Sequence, residues 1–246
     1  MPLTSSDRKD FETFSELLSI TGPYLPMNFV IAAFQHLRQV QMGDYDHVFL
    51  LNAIRLTRQL SSRQDLTQDE LSIAYAIVFL METGHAYSAE FPYEVSPGLT
   101  YPFLKQHAPG FFNAVDERFI SRSCRPVYPH SMKLSDRTRI TILVHNVRTL
   151  VDVVYPNPAK LVTVFVKANK DPSAVDNDDP IDLEEWVNSL AAKFTGRYGY
   201  KGSIWNAVSQ VAKEVYREEI HKFNVIAENQ ELIKNLINQN AKHIFA

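Results

Sequence analysis

The stretch that most constrains the fold is "TQDE" at residues 67–70, followed without a break by "LSIAYAIVFLM". Thr67 and Glu70 stand three residues apart, the spacing at which a threonine hydroxyl and a glutamate carboxylate cap the first turn of a helix reciprocally. The run behind them is apolar apart from Ser72, so the helix it predicts is buried and other elements must surround it. It opens toward a loop through "FLMETGH", with Gly84 as the expected stop and Glu82 and His85 presented where the helix ends. A carboxylate and an imidazole at such a position are candidate metal ligands. Equally, they are ordinary helix-end chemistry.

The neighbouring segments read as helices too. Ser5 or Ser6 caps a first helix running to about Ser19, and "TGPYLP" stops it. "MNFVIAAFQHLRQVQ" carries Phe29, Val30, Ala33, Phe34, Leu37 and Val40 on one helical stripe. "YDHVFLLNAIRLTRQL" directs Val48, Leu51, Ile54, Leu56 and Leu60 inward. Residues 86–110, rich in proline, glycine and aromatics, read as a long ordered loop with one turn of helix at most. "GFFNAVDERFISRS" predicts a shorter helix, and Ser135 with Asp136 caps the next, in which Ile142, Val144, Val147, Leu150, Val151 and Val154 recur at helical spacing. Pro156 and Pro158 end it, and "AKLVTVFVKAN" is open between helix and strand. The acidic "DPSAVDNDDP" lacks the central glycine and final glutamate of a calcium loop, and Asp178 or Asp179 reads as a helix cap. A last helix is expected from about Ser203 to Gln239, with Ile204, Val208, Val211, Val215, Ile226, Ile233 and Ile237 on one face. The expected architecture is all-α, with a helical domain over residues 1–170. Residues 171–246 form an acidic connector and C-terminal helices packing on the same body.

Bulk properties exclude little and add a setting. A length of 246 residues supports a sizeable core. The net charge of −3 makes no case for nucleic acid or an anionic membrane as partner. Apolar runs stop short of the roughly 20 residues of a membrane span, and no signal peptide is apparent at the N-terminus. One cysteine, Cys124, permits neither an internal disulfide nor a multi-thiolate zinc site and fits a cytoplasmic, reducing compartment. It reads as an inert thiol, since no base stands at a recognisable spacing.

Several segments together resemble a known family. "YDH" opening one helix, "FLMETGH" ending the next, "ILVHNVRTLVD" inside a long later helix, and "FTGRYGYKGS" before the last helix are similar to the HD-domain phosphohydrolase superfamily, over roughly residues 28–155. The resemblance implies an HD-like helical bundle, and a divalent metal held by a histidine, a His-Asp doublet and a distant aspartate. His47 falls at the first ligand position, Met81 and Glu82 at the doublet, and Asn146 at the closing aspartate. His85 matches a second histidine after the doublet, and His130 in "YPHSMKLSD" an extra one.

The departures decide what the resemblance allows. Met81 offers a thioether where a hard cation prefers oxygen or imidazole. Glu82 moves its carboxylate outward by one methylene, about 1.5 Å, and Asn146 removes a charge that would hold the cation and acidify its bound water. His85, His107, His130 and His145 are the available replacements, each with a structural reading of its own. Glu82 is unfavourable at the negative helix end, which asks for a partner such as His47 or Arg148. A basic run, Arg118, Arg122, Arg125, Lys133, Arg137, Arg139 and Arg148, together with Arg197 and Lys201 in "RYGYKG", offers phosphate contacts or a solvated surface.

Three readings follow. The favoured one is a degenerate HD-fold protein that binds a nucleotide or phosphate ligand through residues such as Lys133, Arg148, Arg197 and Lys201. Its role would be regulation or assembly, without metal-dependent hydrolysis. The alternative is an active phosphohydrolase acting on nucleotides, with His47, Glu82 and extra histidines forming an atypical divalent-metal site near Asn146, Glu82 or His85 assisting proton transfer, and Arg148 or Lys133 holding phosphate oxygens. The third is an unrelated helical interaction protein. No membrane partner is expected, and the C-terminal helix suits a homo-oligomer or another protein.

Overall fold

The computed structural model of the chain describes residues 5–39, 47–87, 92–109, 120, 123, 138–156, 158–168, 183–199 and 204–244. Among them every regular element is helical, as the periodicities predict. The chain divides into two compact units, Met1–Val151 with Ser209–Ala212, and Asp152–Val208 with Lys213–Ala246. Residues 152–168, placed by sequence in the first domain, thus group with the C-terminal helices.

The first unit holds α1 (Ser5–Thr21), α2 (Met27–Gln39), α3 (His47–Ser61), α4 (Gln68–Leu80), a 3-10 turn (Thr83–Ala86), α5 (Pro92–His107) and most of α6 (Arg139–Val154). The capping box at α4 is present in full. Thr67 Oγ1 accepts from the Glu70 amide at 3.2 Å, and Glu70 Oε2 accepts from the Thr67 amide at 2.8 Å. Burial opposes the ionised form of Glu70, but the Thr67 bonds and Arg139 beside it hold its carboxyl below the usual range. From Ala74 to Met81 the helix is buried without interruption, and α3 and α5 pack on it. Phe29 of α2 meets Phe79 and Phe103 edge-on at 6.0 Å each. Burial, followed by the neighbouring Tyr24, pushes the Tyr75 phenol up to about 12. α4 ends at Leu80 with Met81 as its cap, before the expected stop at Gly84.

Three sequence expectations are corrected here. Residues 92–107 are helical, although Pro97 and Pro102 lie inside α5 and each removes a backbone donor. Tertiary bonds hold that helix in place. The Gly84 amide donates to Ser96 Oγ at 2.8 Å, and Thr100 Oγ1 donates to Leu80 O at 3.3 Å, with both hydroxyls buried. In α3, Val48 is 37% exposed rather than inward, while Phe49 and Leu50 of the same turn are buried. At α6, Thr138 Oγ1 accepts from the Thr141 amide at 3.1 Å and caps the helix, whereas the expected pair Ser135 and Asp136 lies outside the described residues. So do most of the helix expected at 110–123, Cys124, and the acidic connector with Asp178 and Asp179.

The second unit holds the end of α6, α7 (Pro158–Ala168), α8 (Leu183–Tyr198), α9 (Ile204–Ala207), α11 (Arg217–Glu228) and α12 (Gln230–Ile244), while α10 (Gln210–Val215) straddles the two units. Pro158 opens α7 at the position where a missing amide costs least, which settles the segment as helix. Phe165, Phe194, Tyr198 and Phe223 form a chain of ring contacts between 4.8 and 6.3 Å. α12 packs on α8 and α7, with Ile233 and Ile237 fully buried. The single long C-terminal helix predicted from the Val/Ile spacing is four helices. One break has an evident cause: Asn229 Oδ1 accepts from the Leu232 amide at 3.1 Å and starts α12 afresh.

Candidate functional site

Glu82 follows the last turn of α4, where carbonyls have no helical partner and the helix dipole is negative. Its carboxylate is 4% exposed, and Arg148 from α6 reaches it. Arg148 Nε donates to Glu82 Oε1 at 2.5 Å, and Nη2 of the same guanidinium donates to the Met81 carbonyl at 2.8 Å. One cation therefore answers both the acid and an orphan carbonyl. Two further backbone groups at the helix end are answered as well. Leu80 O accepts from the Thr83 and Thr100 hydroxyls, and the Gly84 amide is taken by Ser96. The Met81 side chain is fully buried. Of the two partners the sequence offers for Glu82, His47 and Arg148, the structure places Arg148.

Asn146 is equally committed. With no exposed surface, its Nδ2 donates to Ser209 Oγ at 2.8 Å while its Oδ1 accepts from the Ser209 amide at 2.9 Å. An amide supplies a donor and an acceptor to one residue, which a carboxylate cannot do. The asparagine thus has a packing partner of its own. His47 opens α3 with Nε2 3.3 Å from Asp10 Oδ1, and Arg38 of α2 reaches Asp10 Oδ2 at 3.0 Å. These three side chains tie α1, α2 and α3 together. His145 is buried on α6, its Nε2 3.5 Å from the Thr149 hydroxyl one turn on. His107 lies 4.4 Å from the Phe103 ring, and its carbonyl accepts from Asn28 Nδ2 at 3.3 Å.

Compared with known proteins, the chain matches no family model, no curated protein and no solved structure.

His47, Glu82 and Asn146 are thus held by three separate partners, Asp10, Arg148 and Ser209. Among the described residues no group of three or more His, Cys, Asp or Glu side chains could hold a metal ion. The donor set there does not fit a divalent cation, which in a catalytic site takes about three protein ligands. Backbone atoms of His85 lie in the 3-10 turn, but its side chain, like Lys133, Lys201 and His130, lies outside the described residues. Of the phosphate-binding candidates that are described, Arg148 is engaged in the buried pair. Arg197 is exposed, with its guanidinium 5.3 Å from the Tyr198 ring.

Sequence reasoning missed the partners Asp10 and Ser209. It also missed a cavity of about 380 Å³ in the second unit, lined by Trp205, Arg217, Glu218, Ile220, His221 and Asn224. The signal was present: Arg217, Ile220, His221 and Asn224 fall at i, i+3, i+4 and i+7, one helical face that mixes polar with apolar residues.

Proposed function

We propose that this chain is a binding protein with a regulatory or assembly role, built on an HD-like helical frame, and that it does not hydrolyse through a metal. The observation that carries this reading is the joint at the end of α4. Where the resemblance puts the His-Asp doublet, a buried methionine and a carboxylate 2.5 Å from Arg148 stand instead, and that arginine also holds the Met81 carbonyl. A carboxylate already neutralised by a guanidinium is a poor donor to a cation, because coordination would have to break a buried ion pair. Asn146, bonded through both ends of its amide to Ser209, points the same way. The ligand in this reading is a nucleotide or another phosphate-bearing molecule, for which exposed Arg197 beside Tyr198 is one contact.

The test is turnover. Purified full-length chain is incubated with nucleoside mono-, di- and triphosphates and with magnesium, manganese, iron, nickel or zinc, and phosphate and nucleoside are measured. No release above buffer is expected with any metal. Metal-dependent release that disappears in Glu82→Gln would overturn the reading in favour of an atypical hydrolase.

A further inference from the structure

The cavity of the second unit is built on one face of α11. Arg217 and His221 stand one turn apart at its exposed rim, Ile220 and Asn224 lie one turn apart on its buried side, and Trp205 of α9 contributes another wall. Lys213 sits 5.4 Å from the Trp205 ring. Asn224 is 4% exposed, and its Oδ1 meets no hydrogen-bond partner among the described residues although no solvent reaches it. A buried amide oxygen left unmatched is costly, and packing alone would favour leucine at such a position. Rotation about its last torsion offers either the donor or the acceptor of this amide to the cavity.

We propose that this cavity binds a nucleoside monophosphate. The volume is that of a small-ligand site. An indole face stacks any planar base, and an asparagine amide matches a ring edge that carries an adjacent donor and acceptor, as adenine does. Arg217, with His221 beside it, places a cation at the rim where a phosphate would emerge, and a guanidinium binds phosphate in two-pronged fashion. Glu218 and Glu219 share the first turn of α11 with Arg217, and Glu218 lies 3.9 Å from Lys222 Nζ, both side chains of that pair being exposed. The inference rests on the ligand-binding reading and names a site for it in residues other than those the HD resemblance selects, so Arg197 is not among the lining residues.

Titration calorimetry of the full-length chain with AMP, GMP, CMP and UMP tests it, alongside the variants Asn224→Leu and Arg217→Gln. At least one monophosphate is expected to bind saturably, AMP most tightly, and each variant should weaken it about tenfold or more, the worth of one charge-assisted or buried hydrogen bond. Asn224→Leu should unfold at the same temperature as wild type or higher, because it removes an unmatched polar atom. Arg217→Gln changes only an exposed side chain and keeps the test open if Asn224→Leu does not fold. No binding of any of the four, or binding by either folded variant equal to wild type, overturns the proposal. Binding that survives in a protein also found to release phosphate with a metal would leave this site standing while removing the non-hydrolytic reading.

Discussion

A lone carboxylate at the C-terminal end of a helix faces the negative pole of the macrodipole and, when buried, lacks water as well. Glu82 meets both penalties with Arg148, whose side chain is 10% exposed against 5% for its partner. Arg148→Met should therefore cost about 3–5 kcal/mol, because it strands a buried charge, whereas Arg148→Met combined with Glu82→Leu should recover most of that loss. Urea unfolding of the three proteins measures it; an Arg148→Met loss within experimental error would show that the pair is not the structural joint described here. Asn146 gives a second test. Asn146→Asp puts a carboxyl where no surface is exposed, so burial raises its folded pKa above the ordinary aspartate value. The native variant then holds a proton that the unfolded chain releases, and its deficit against wild type should grow as pH rises and shrink as pH falls. Comparing denaturation near pH 5 and pH 8 reads the sign directly.

Elements differ in how openly their sequences declare them. α4 was legible because its start, reciprocal cap and apolar run are all local signals, and the structure keeps each of them. Thr67→Ala should cost about 1 kcal/mol, in the range usual for a lost N-cap. Glu70, held below its ordinary carboxyl range, stabilises the fold above the unfolded value near 4.5 and loses that contribution as pH falls through its lower folded value. In Thr67→Ala this acid-side loss should be smaller, which melting curves between pH 3 and pH 6 would detect. α5 was illegible for the opposite reason. Pro97, Gly98 and Pro102 argue locally for a loop, while the bonds that overrule them run to Gly84 and Leu80, residues no local window includes. Ser96→Ala should leave the buried Gly84 amide unmatched and cost about 1–3 kcal/mol. The broken C-terminal run shows a third situation. Its aliphatic spacing carries on through residues 204–237, but Ser209 is claimed by Asn146 and Asn229 caps the next helix, so periodicity alone overestimates continuity.

At the scale of the whole molecule, the all-α architecture was readable from periodicity, and among the described residues no helix is long and apolar enough to cross a membrane. The candidate site was legible only as a list of positions. His47, Glu82 and Asn146 were located by resemblance, but their partners Asp10, Arg148 and Ser209 come from elements whose proximity only the fold supplies. Acid sensitivity is a property of this packing too. Burial, with His107 close by, holds His36 below its ordinary 6.5, beside the Phe103 ring at 5.2 Å. The unfolded chain takes up this proton first, so the contribution is present above about 6.5 and is lost as pH falls from there through the lower folded value; His36→Gln should flatten the acid-side slope of melting temperature. The most direct test of the central claim, that the α4 end is a structural joint and not a metal centre, is elemental analysis of divalent metal in purified wild type and His47→Ala. Less than a tenth of an equivalent, unchanged by the substitution, is expected, on the order of adventitious metal. One equivalent that disappears in His47→Ala would contradict it.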